Sequence, residues 1–266
     1  MALLDFDFYS AEICKTVHAQ AILPIADAVP TPELPLKTLY LLPGFSASAH
    51  DIQWMCRIRE NVLKYQIAVI IVDGDNSFYI NRPMANYSDF IGKELVEFTH
   101  KLLPLSSKRE DLFIGGISMG GYGAWYNGMK YSDTFSKIAL IHPGFDFYDL
   151  KLDGQPAFQP AFLDSLFGSR ENYYATDFDY RNMLRERHSA VPAIFQCWGT
   201  EDPLVKEVNQ DFRDFLKENR IPAVTCTAPG GHDEAFINRI WDRLFEFLLE
   251  RSSDYVMGQN FAGAQP

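Results

Sequence analysis

The residues best suited to chemistry lie in the pattern Gly116-x-Ser118-x-Gly120. An apolar run over 112–114 precedes it and is typical of a short buried strand, and residues 122–131 can form a helix. A serine on a sharp strand-to-helix turn is a nucleophile elbow, in which the two flanking glycines leave room for neighbouring backbone. The pattern therefore predicts Ser118 as a nucleophile.

Such a pentapeptide also recurs by chance in glycine-rich turns, so the interpretation depends on which residues follow it. Asp202 comes shortly after a strand-like run that ends at Trp198, and His232 comes after the next such run. The order serine, aspartate, histidine is the one found in α/β-hydrolases. We therefore predict His232 as the general base and Asp202 as the group that holds its tautomer and stabilises the imidazolium.

Other residues could fill these two roles. Asp202 could simply cap a following helix, and His142 also follows a strand, although it comes too early for this chain order. The remaining histidines are most simply surface or hydrogen-bonded residues: His18, His50, His100 and His188. The competing acids are Glu201, Asp177, Asp179 and Asp233.

An oxyanion needs two backbone N–H donors near the nucleophile. The amide of Met119 follows the serine directly, and the second donor should come from the loop after the third strand. Gly44 permits a tight turn in that loop, so the Phe45 amide is the predicted second donor. The alternative is that Pro43-Gly44 is only a turn.

Composition excludes several classes of protein. The 266 residues carry a net charge of −11, from 24 Lys+Arg against 35 Asp+Glu, and no basic block suggests a nucleic-acid partner. No signal peptide or membrane-spanning run is visible, so we expect a cytoplasmic protein with no membrane partner. The cysteines are scattered without zinc-type spacing, so no metal and no cofactor is expected: Cys14, Cys56, Cys197 and Cys226.

The predicted elements alternate between strand and helix. The strands are expected over 3–9, 17–23, 37–42, 67–72, 112–114, 137–141, 193–198 and 223–227. The helices are expected over 51–63, 87–103, 122–131, 203–219 and 236–249. The first two strands should form an antiparallel hairpin, and the rest a mainly parallel twisted sheet with helices on both faces. Ligands bind such sheets at the carboxyl ends of the strands, where the predicted site residues lie.

The sequence predicts one α/β domain over residues 1–251 and a frayed C-terminal tail over 252–266. Residues 145–190 interrupt the alternation, and 10 of these 46 residues are aromatic, above the 14% of the whole chain. We interpret them as a small cap inserted over the carboxyl edge of the sheet.

Three motifs together resemble a known family. Residues 41–46, the segment 115–123, and Gly199-x-x-Asp202 with Gly231-His232 are similar to the esterase D group of α/β-hydrolases. That group includes S-formylglutathione hydrolases and bacterial carboxylesterases of the tributyrin-esterase type. The resemblance implies an α/β-hydrolase fold and metal-free hydrolysis of esters or thioesters with small acyl groups. The resembling esterases often associate, so a homo-oligomer is one of the states that the resemblance leaves open.

The chain departs from the family in places that bear on function. Pro43 stands where the family usually has histidine, which removes one donor near the oxyanion loop. Ile117 and Tyr122 occupy positions where S-formylglutathione hydrolases typically carry histidine, which favours the simple carboxylesterase branch. Trp54, Arg57 and Tyr79 match positions near the pocket in the resembling esterases, although Trp54 could be a core residue and Arg57 a solvated charge.

The favoured function is a serine carboxylesterase that acts on small-molecule esters with short acyl chains. The cap lacks the long aliphatic stripe of a lipase lid, and the Phe45 ring should narrow the acyl side of the pocket. Three alternatives stay open: a thioesterase of the S-formylglutathione hydrolase type, an acyltransferase, and a catalytically inactive hydrolase fold that serves as a binding module.

Overall fold

The computed structural model describes residues 1–27, 30–185, 191–251 and 260–262. Among these residues, nine strands form the main sheet: β1 (Ala2–Ser10), β2 (Lys15–Leu23), β3 (Thr38–Leu42), β4 (Ala68–Val72), β5 (Leu112–Ile117), β6 (Lys137–Ile141), β7 (Ala193–Gly199), β8 (Ala223–Ala228) and β9 (Asn260–Ala262). Their spatial order is β1-β2-β4-β3-β5-β6-β7-β8-β9. β1 and β2 are antiparallel, β2 is antiparallel to β4, and every later pair is parallel.

Helices cover both faces of this sheet. They span Ala49–Met55, Ile58–Tyr65, Tyr87–Asp89, Leu95–Leu102, Met119–Lys130, Pro160–Phe167, Arg170–Ala175, Tyr180–Arg185, Lys206–Glu218 and Glu234–Leu249. A π-helical turn, Phe90–Glu94, and a 3₁₀ turn, Arg109–Asp111, complete the helical segments described. The predicted α/β class, with a mainly parallel sheet between two helical layers, is confirmed.

The central strands are apolar on both faces, as a strand between two helical layers must be. Along β3, Tyr40 and Leu42 pack into one core with the helix Met119–Lys130. Leu39 and Leu41 point to the opposite core, which contains the last helix. The alternation follows from the two-residue period of a strand. Parallel pairing places the carboxyl ends of β3 to β8, and the loops that follow them, along one edge of the sheet.

Two predicted helices differ from those observed. The segment predicted as one helix over 51–63 is two helices that break at Cys56 and Arg57. The side chain of Asn238 fills the break, because its Oδ1 accepts from the Arg57 amide at 2.7 Å and its Nδ2 donates to the Met55 carbonyl at 3.1 Å. The helix predicted from 203 begins at Lys206, after a turn organised by Asp202.

The insertion predicted over 145–190 contains short helices and a two-stranded hairpin, Lys151–Leu152 with Gln155–Pro156. Its aromatic rings pack on the body of the protein, where Phe147 lies 4.7 Å from Phe78 and 5.0 Å from Tyr122, centroid to centroid. The aromatic side chains of the insertion therefore form an apolar core between the insertion and the rest of the domain. Its residues 186–190, with His188, lie outside the described residues.

The remaining predictions concern the chain end, the cysteines and membrane spans. Within the predicted frayed tail, Asn260–Ala262 pairs in parallel with β8; residues 252–259 and 263–266 lie outside the described residues. All four cysteines are free, and Cys56, Cys197 and Cys226 are buried core residues. Over the described part of the chain, no helix is long and apolar enough to cross a membrane.

Candidate active site

Ser118 lies on a strained turn between β5 and the helix Met119–Lys130. Its backbone has φ +57° and ψ −115°, a conformation that costs energy for a residue with a Cβ. The flanking glycines are required by close packing, since a Cβ on Gly116 would lie 2.0 Å from the Gly120 carbonyl oxygen. A Cβ on Gly120 would lie 2.0 Å from the Leu42 carbonyl oxygen. The turn thus presents the serine side chain at the carboxyl edge of the sheet.

Three side chains from different loops meet at this edge. The His232 Nε2 atom lies 2.9 Å from Ser118 Oγ, and its Nδ1 atom lies 2.7 Å from Asp202 Oδ2. An ionised carboxylate only accepts hydrogen bonds, so Nδ1 carries the proton and Nε2 is left to accept the proton of the serine hydroxyl. This is the connectivity of a serine, histidine and aspartate relay.

Asp202 is a buried carboxylate with an unusually complete set of donors. Burial by itself would raise its pKa, but donors from His142, His232 and the Val205 amide outweigh that effect and hold the pKa well below its usual range. Oδ1 accepts from the amides of Leu204 and Val205 at 2.9 and 3.1 Å, while Oδ2 faces the histidines. The carboxylate therefore organises its own turn and orients His232 at the same time.

A second histidine lies against the same carboxylate. His142 follows β6 directly, is fully buried, and places its Nδ1 3.2 Å from Asp202 Oδ2. Its ring centroid lies 4.8 Å from that of His232 and 4.6 Å from that of Phe236. Neither of its nitrogens has a well-aligned hydrogen-bond partner among the described residues, so the contact with Asp202 is close but oblique.

Burial lowers the pKa of His142, and the nearby Asp202 carboxylate only partly offsets that effect. The imidazole is therefore neutral near pH 7 and carries a single proton. A proton on Nδ1 faces the carboxylate, whereas a proton on Nε2 would leave a lone pair against it, so the first tautomer is favoured. Sequence order alone excluded His142 as the base, but its position after a strand beside the elbow strand indicates that it reaches this edge.

The two predicted oxyanion amides flank the nucleophile. Met119 is the first residue of its helix, where an amide has no intrahelical acceptor. The Phe45 amide donates to no group among the described residues. Gly44 brings this loop against the serine, because a Cβ there would lie 3.2 Å from the Ile117 oxygen and 3.4 Å from Ser118 Cβ. Neither amide therefore has a backbone acceptor among the described residues.

An apolar cavity of about 370 Å³ opens in front of Ser118. Its polar lining residues are Ser118, His142, His232, Asp233 and Glu234, while most of the remaining wall is hydrocarbon and aromatic. That wall includes Phe45, Ile52, Met55, Ile117, Leu152, Ala157, Phe158, Leu204 and Ile237. A cavity of this kind suits a small apolar group placed next to a reactive polar centre.

Phe45 forms part of this wall through contacts with the insertion. Its ring packs edge to face against Phe158 and Phe162, with centroids 5.3 and 5.7 Å apart, and against Phe78 at 6.3 Å. The ring is held on three sides, although 41% of the residue is exposed. Because these rings are in contact, the cavity cannot lengthen on this side without moving the insertion.

A larger cleft of about 560 Å³ lies nearby and is polar. Its lining includes Asp149, Lys151, Glu201 and Glu207, but neither Ser118 nor His232. Volume alone would favour this cleft as the active site. The smaller cavity is the better candidate because it contains the predicted nucleophile and base in hydrogen-bond contact. We therefore take the smaller cavity as the candidate active site.

The three residues predicted to contact substrate do not line this cavity. Tyr79 is fully buried, with its hydroxyl donating to the Pro43 carbonyl at 2.8 Å, so it supports the oxyanion loop from beneath and cannot touch substrate. Trp54 is 90% exposed on its helix, which excludes the core alternative. Arg57 lines a separate surface depression with Asn238.

The competing acids have other surroundings. Asp233 caps the last helix by accepting from the Phe236 amide at 2.8 Å. Asp179 pairs with Arg181 at 3.1 Å, and Asp177 lies 3.5 Å from the Tyr126 hydroxyl. Glu201 is exposed on the polar cleft. The His232 ring thus has Asp202 as its acidic hydrogen-bond partner among the described residues.

Comparison with known proteins gives a consistent result. Residues 10–247 match the model of a family described as putative esterase. An acetyl esterase from Caldicellulosiruptor saccharolyticus is 34% identical over 270 residues, covering 95% of this chain and 100% of that protein.

Solved structures show the same likeness. FphF, a fluorophosphonate-binding serine hydrolase of Staphylococcus aureus, superposes with a TM-score of 0.81 at 27% identity. The S-formylglutathione hydrolase FrmB of S. aureus gives the same two values. Each comparison covers 93% of this chain and 98% of the other. The mostly parallel sheet is therefore that of the esterases with the α/β-hydrolase fold.

Proposed function

The chain belongs to the putative esterase family and is a carboxylesterase, and we propose that it hydrolyses short-chain acyl esters through a triad of Ser118, His232 and Asp202. The observation that carries this proposal is the pair of hydrogen bonds in series, 2.9 Å from Ser118 to His232 and 2.7 Å from His232 to Asp202. The pair joins a strained serine to a buried, ionised carboxylate at the mouth of an apolar cavity.

In the proposed first step, Ser118 Oγ attacks the ester carbonyl carbon while its proton passes to His232 Nε2. The carbonyl oxygen becomes an oxyanion, to which the Met119 and Phe45 amides donate. Throughout the step, Asp202 accepts the hydrogen bond that His232 Nδ1–H donates, and it stabilises the imidazolium. Preorganised amides of this kind act on the charge that develops in the transition state, where one donor is worth roughly 10²- to 10³-fold in rate.

Collapse of the tetrahedral intermediate breaks the ester C–O bond. The alcohol leaves with the proton that His232 had taken, and an acyl group stays on Ser118 Oγ. Water then gives a proton to His232 and attacks the acyl carbon, and the second intermediate releases the carboxylic acid and restores the serine hydroxyl. Every proton moves through His232 Nε2, so the cycle needs no group outside the described site.

The cavity supports a short acyl chain. Phe45, Phe158 and Phe162 contact one another, and two of the three come from the insertion, which we propose acts as a cap. Each methylene buried should contribute about 0.8 kcal/mol until the cavity is full. Further methylenes then force the rings apart, at a cost of roughly 1–3 kcal/mol.

The direct test is an acyl-ester series, from p-nitrophenyl acetate to octanoate, on purified protein with Ser118→Ala as the inactive control. We expect kcat/KM to rise to roughly the butanoyl ester and to fall by octanoyl. Activity that climbs steadily to dodecanoyl would contradict a closed acyl cavity. Equal rates for wild type and Ser118→Ala would contradict the triad itself.

A thioesterase activity is the second candidate, because the S. aureus S-formylglutathione hydrolase superposes as well as FphF does. Tyr122, at a position where such hydrolases typically carry histidine, is fully buried and donates to the Phe178 carbonyl at 3.0 Å. S-formylglutathione should be assayed beside the ester series. A kcat/KM for the thioester above that of every ester would make the thioester the preferred substrate.

A further inference from the structure

A second cluster of histidine and aspartate lies away from the serine. Asp5 on β1, His18 on β2 and His50 in the first turn of the helix Ala49–Met55 come together at the surface. Asp5 Oδ1 lies 3.4 Å from His18 Nε2 and 3.8 Å from His50 Nε2, and the two imidazoles stack with centroids 5.2 Å apart. One potential ligand atom from each residue lies within 4.8 Å of the others.

His18 and Asp5 each have a further side-chain partner. Asp7 Oδ1 lies 3.0 Å from His18 Nδ1, on the opposite side of the ring from Asp5. Gln20 Nε2 donates to Asp5 Oδ1 at 2.6 Å. A carboxylate on the remote nitrogen of a histidine, and a donor on a ligating carboxylate, are the contacts that orient metal ligands in proteins.

The arrangement leaves two acceptors facing each other. If His18 donates its Nδ1 proton to Asp7, its Nε2 carries a lone pair, and that lone pair points toward the Asp5 carboxylate. The Nε2 atom is inaccessible to solvent and makes no hydrogen bond among the described residues. A positive charge between these atoms, either a proton on the imidazole or a metal cation, would remove the conflict.

The spacing fits a cation with nitrogen and oxygen ligands. Zinc bonds to histidine and aspartate at about 2.0–2.2 Å, so the ligand atoms of a tetrahedral site are roughly 3.3–3.5 Å apart. The Asp5–His18 separation of 3.4 Å lies at that value, the Asp5–His50 separation is 3.8 Å, and all three ligand atoms lie within 4.8 Å of one another. We propose that Asp5, His18 and His50 bind one zinc ion, with solvent as the fourth ligand.

Such an ion would join the paired strands β1 and β2 to the helix Ala49–Met55. Asp5 and His18 belong to the hairpin at the sheet edge, and His50 lies five residues after Phe45 in the oxyanion loop. The Ala49 amide already donates to Asp73 at 2.7 Å, and the Ser46 amide donates to Asn76 at 2.6 Å. The ion would add a further restraint on that loop without entering the proposed reaction.

The test is a calorimetric titration of tag-free protein with zinc chloride. We expect one zinc per chain, with binding abolished in His18→Ala and in His50→Ala. Asp7→Asn keeps all three ligands but loses the orienting carboxylate, so its affinity should fall by about 10- to 100-fold. His100→Ala, which removes a histidine from a different helix, should bind zinc as the wild type does.

The active-site histidines provide the competing explanation, because His142, Asp202 and His232 also bring potential ligand atoms close together. His232→Ala should retain the bound zinc if the ion lies at Asp5. Cobalt should give a visible absorption spectrum typical of tetrahedral coordination in wild type and His232→Ala, but not in His50→Ala. Circular dichroism and metal-free thermal unfolding of each variant show whether it folds.

Three results would overturn the proposal. The first is a wild type that binds zinc no better than a folded His18→Ala, His50→Ala double variant, which would assign the positive charge to a proton. The second is zinc binding that His232→Ala alone removes. The third is an Asp7→Asn variant with unchanged affinity, because zinc held by His18 Nε2 should depend on the carboxylate that keeps the proton on Nδ1.

Discussion

Two clusters with the same composition, one aspartate and two histidines, lie at the carboxyl edge of the sheet. In the first, Asp202 faces His232 and His142 at 2.7 and 3.2 Å. In the second, Asp5 lies 3.4 Å from His18 and is also approached by His50. The distances are similar, but the Asp202 side chain is fully buried whereas the Asp5 side chain is 46% exposed.

Burial and neighbours give the two clusters different chemistry. Around Asp202, backbone amides and a serine complete the arrangement, so the charge of the carboxylate is used to orient one imidazole toward a nucleophile. Around Asp5 no nucleophile is in contact among the described residues, and Asp7 on His18 Nδ1 leaves His18 Nε2 facing the Asp5 carboxylate. The same residue types therefore suit proton transfer in one place and cation binding in the other.

The largest effect should come from removing the base. We expect His232→Ala to lower kcat by about 10⁴-fold or more, since the serine then has no acceptor for its proton. His100→Ala is the matched control, because it removes a histidine from a helix outside both clusters, and it should keep kcat within about twofold. A His232→Ala variant with near wild-type kcat would show that the Asp202 cluster does not carry out the proton transfer proposed for it.

A smaller effect should come from the second histidine on Asp202. We expect His142→Phe to lower kcat by about tenfold, equivalent to ~1.4 kcal/mol, with little change in KM, because Asp202 loses the polar Nδ1 group 3.2 Å from its Oδ2. The acid limb of the pH profile of kcat/KM should also move to higher pH, since the carboxylate then holds more negative charge toward His232.

His142→Asn provides the matched control for that variant. Its amide can place a donor near the position of Nδ1, and asparagine tolerates the positive φ of 43° at this residue. Recovery of most of kcat and of the pH profile is expected. If Phe and Asn variants behave alike, or if only stability changes, the role of His142 is packing and not orientation of Asp202.

The preferred acyl-chain length should change when the Phe45 ring, which closes one side of the cavity, is removed. Phe45→Ala removes the ring but keeps the backbone amide, so the optimum acyl length should lengthen by a few methylenes. For the wild type we expect kcat/KM of the octanoyl ester to be about tenfold below the best substrate, a ~1.4 kcal/mol penalty. The ester series on both proteins measures this, and an unchanged optimum in Phe45→Ala would place the chain-length limit elsewhere.

The smallest effect should come from metal removal. Dialysis against EDTA should change kcat by less than about twofold, because the proposed reaction uses only Ser118, His232, Asp202 and two amides. The apparent melting temperature should fall only in proteins that carry the Asp5 cluster intact and were loaded with zinc. Loss of kcat that zinc restores would contradict the separation between the two clusters.

The sequence predicted the fold and the grouping of Asp202 and His232 with Ser118 because those features follow from local pattern. The elbow requires glycine at two positions for steric reasons, and alternation of strands and helices brings Asp202 and His232 to the same edge. The oxyanion loop was predicted for the same reason. These features depend on short segments whose order along the chain is diagnostic.

Contacts between distant segments were not predictable in this way. Tyr79 was expected to contact substrate, but its burial depends on how its loop packs beneath Pro43. His142 was set aside by chain order, although its strand lies between the strands that precede Ser118 and Asp202. Asp5 and His18 lie on the predicted hairpin, but His50 comes from a helix, and no spacing in the sequence relates that helix to the hairpin.

The most direct test of the account is to identify the nucleophile. A fluorophosphonate probe should form one covalent adduct per chain, and peptide mass spectrometry should place it on Ser118. Ser118→Ala should take up no probe and should retain no more than the residual rate that binding and the oxyanion amides provide. An adduct on a different residue, together with an active Ser118→Ala variant, would contradict the proposed mechanism.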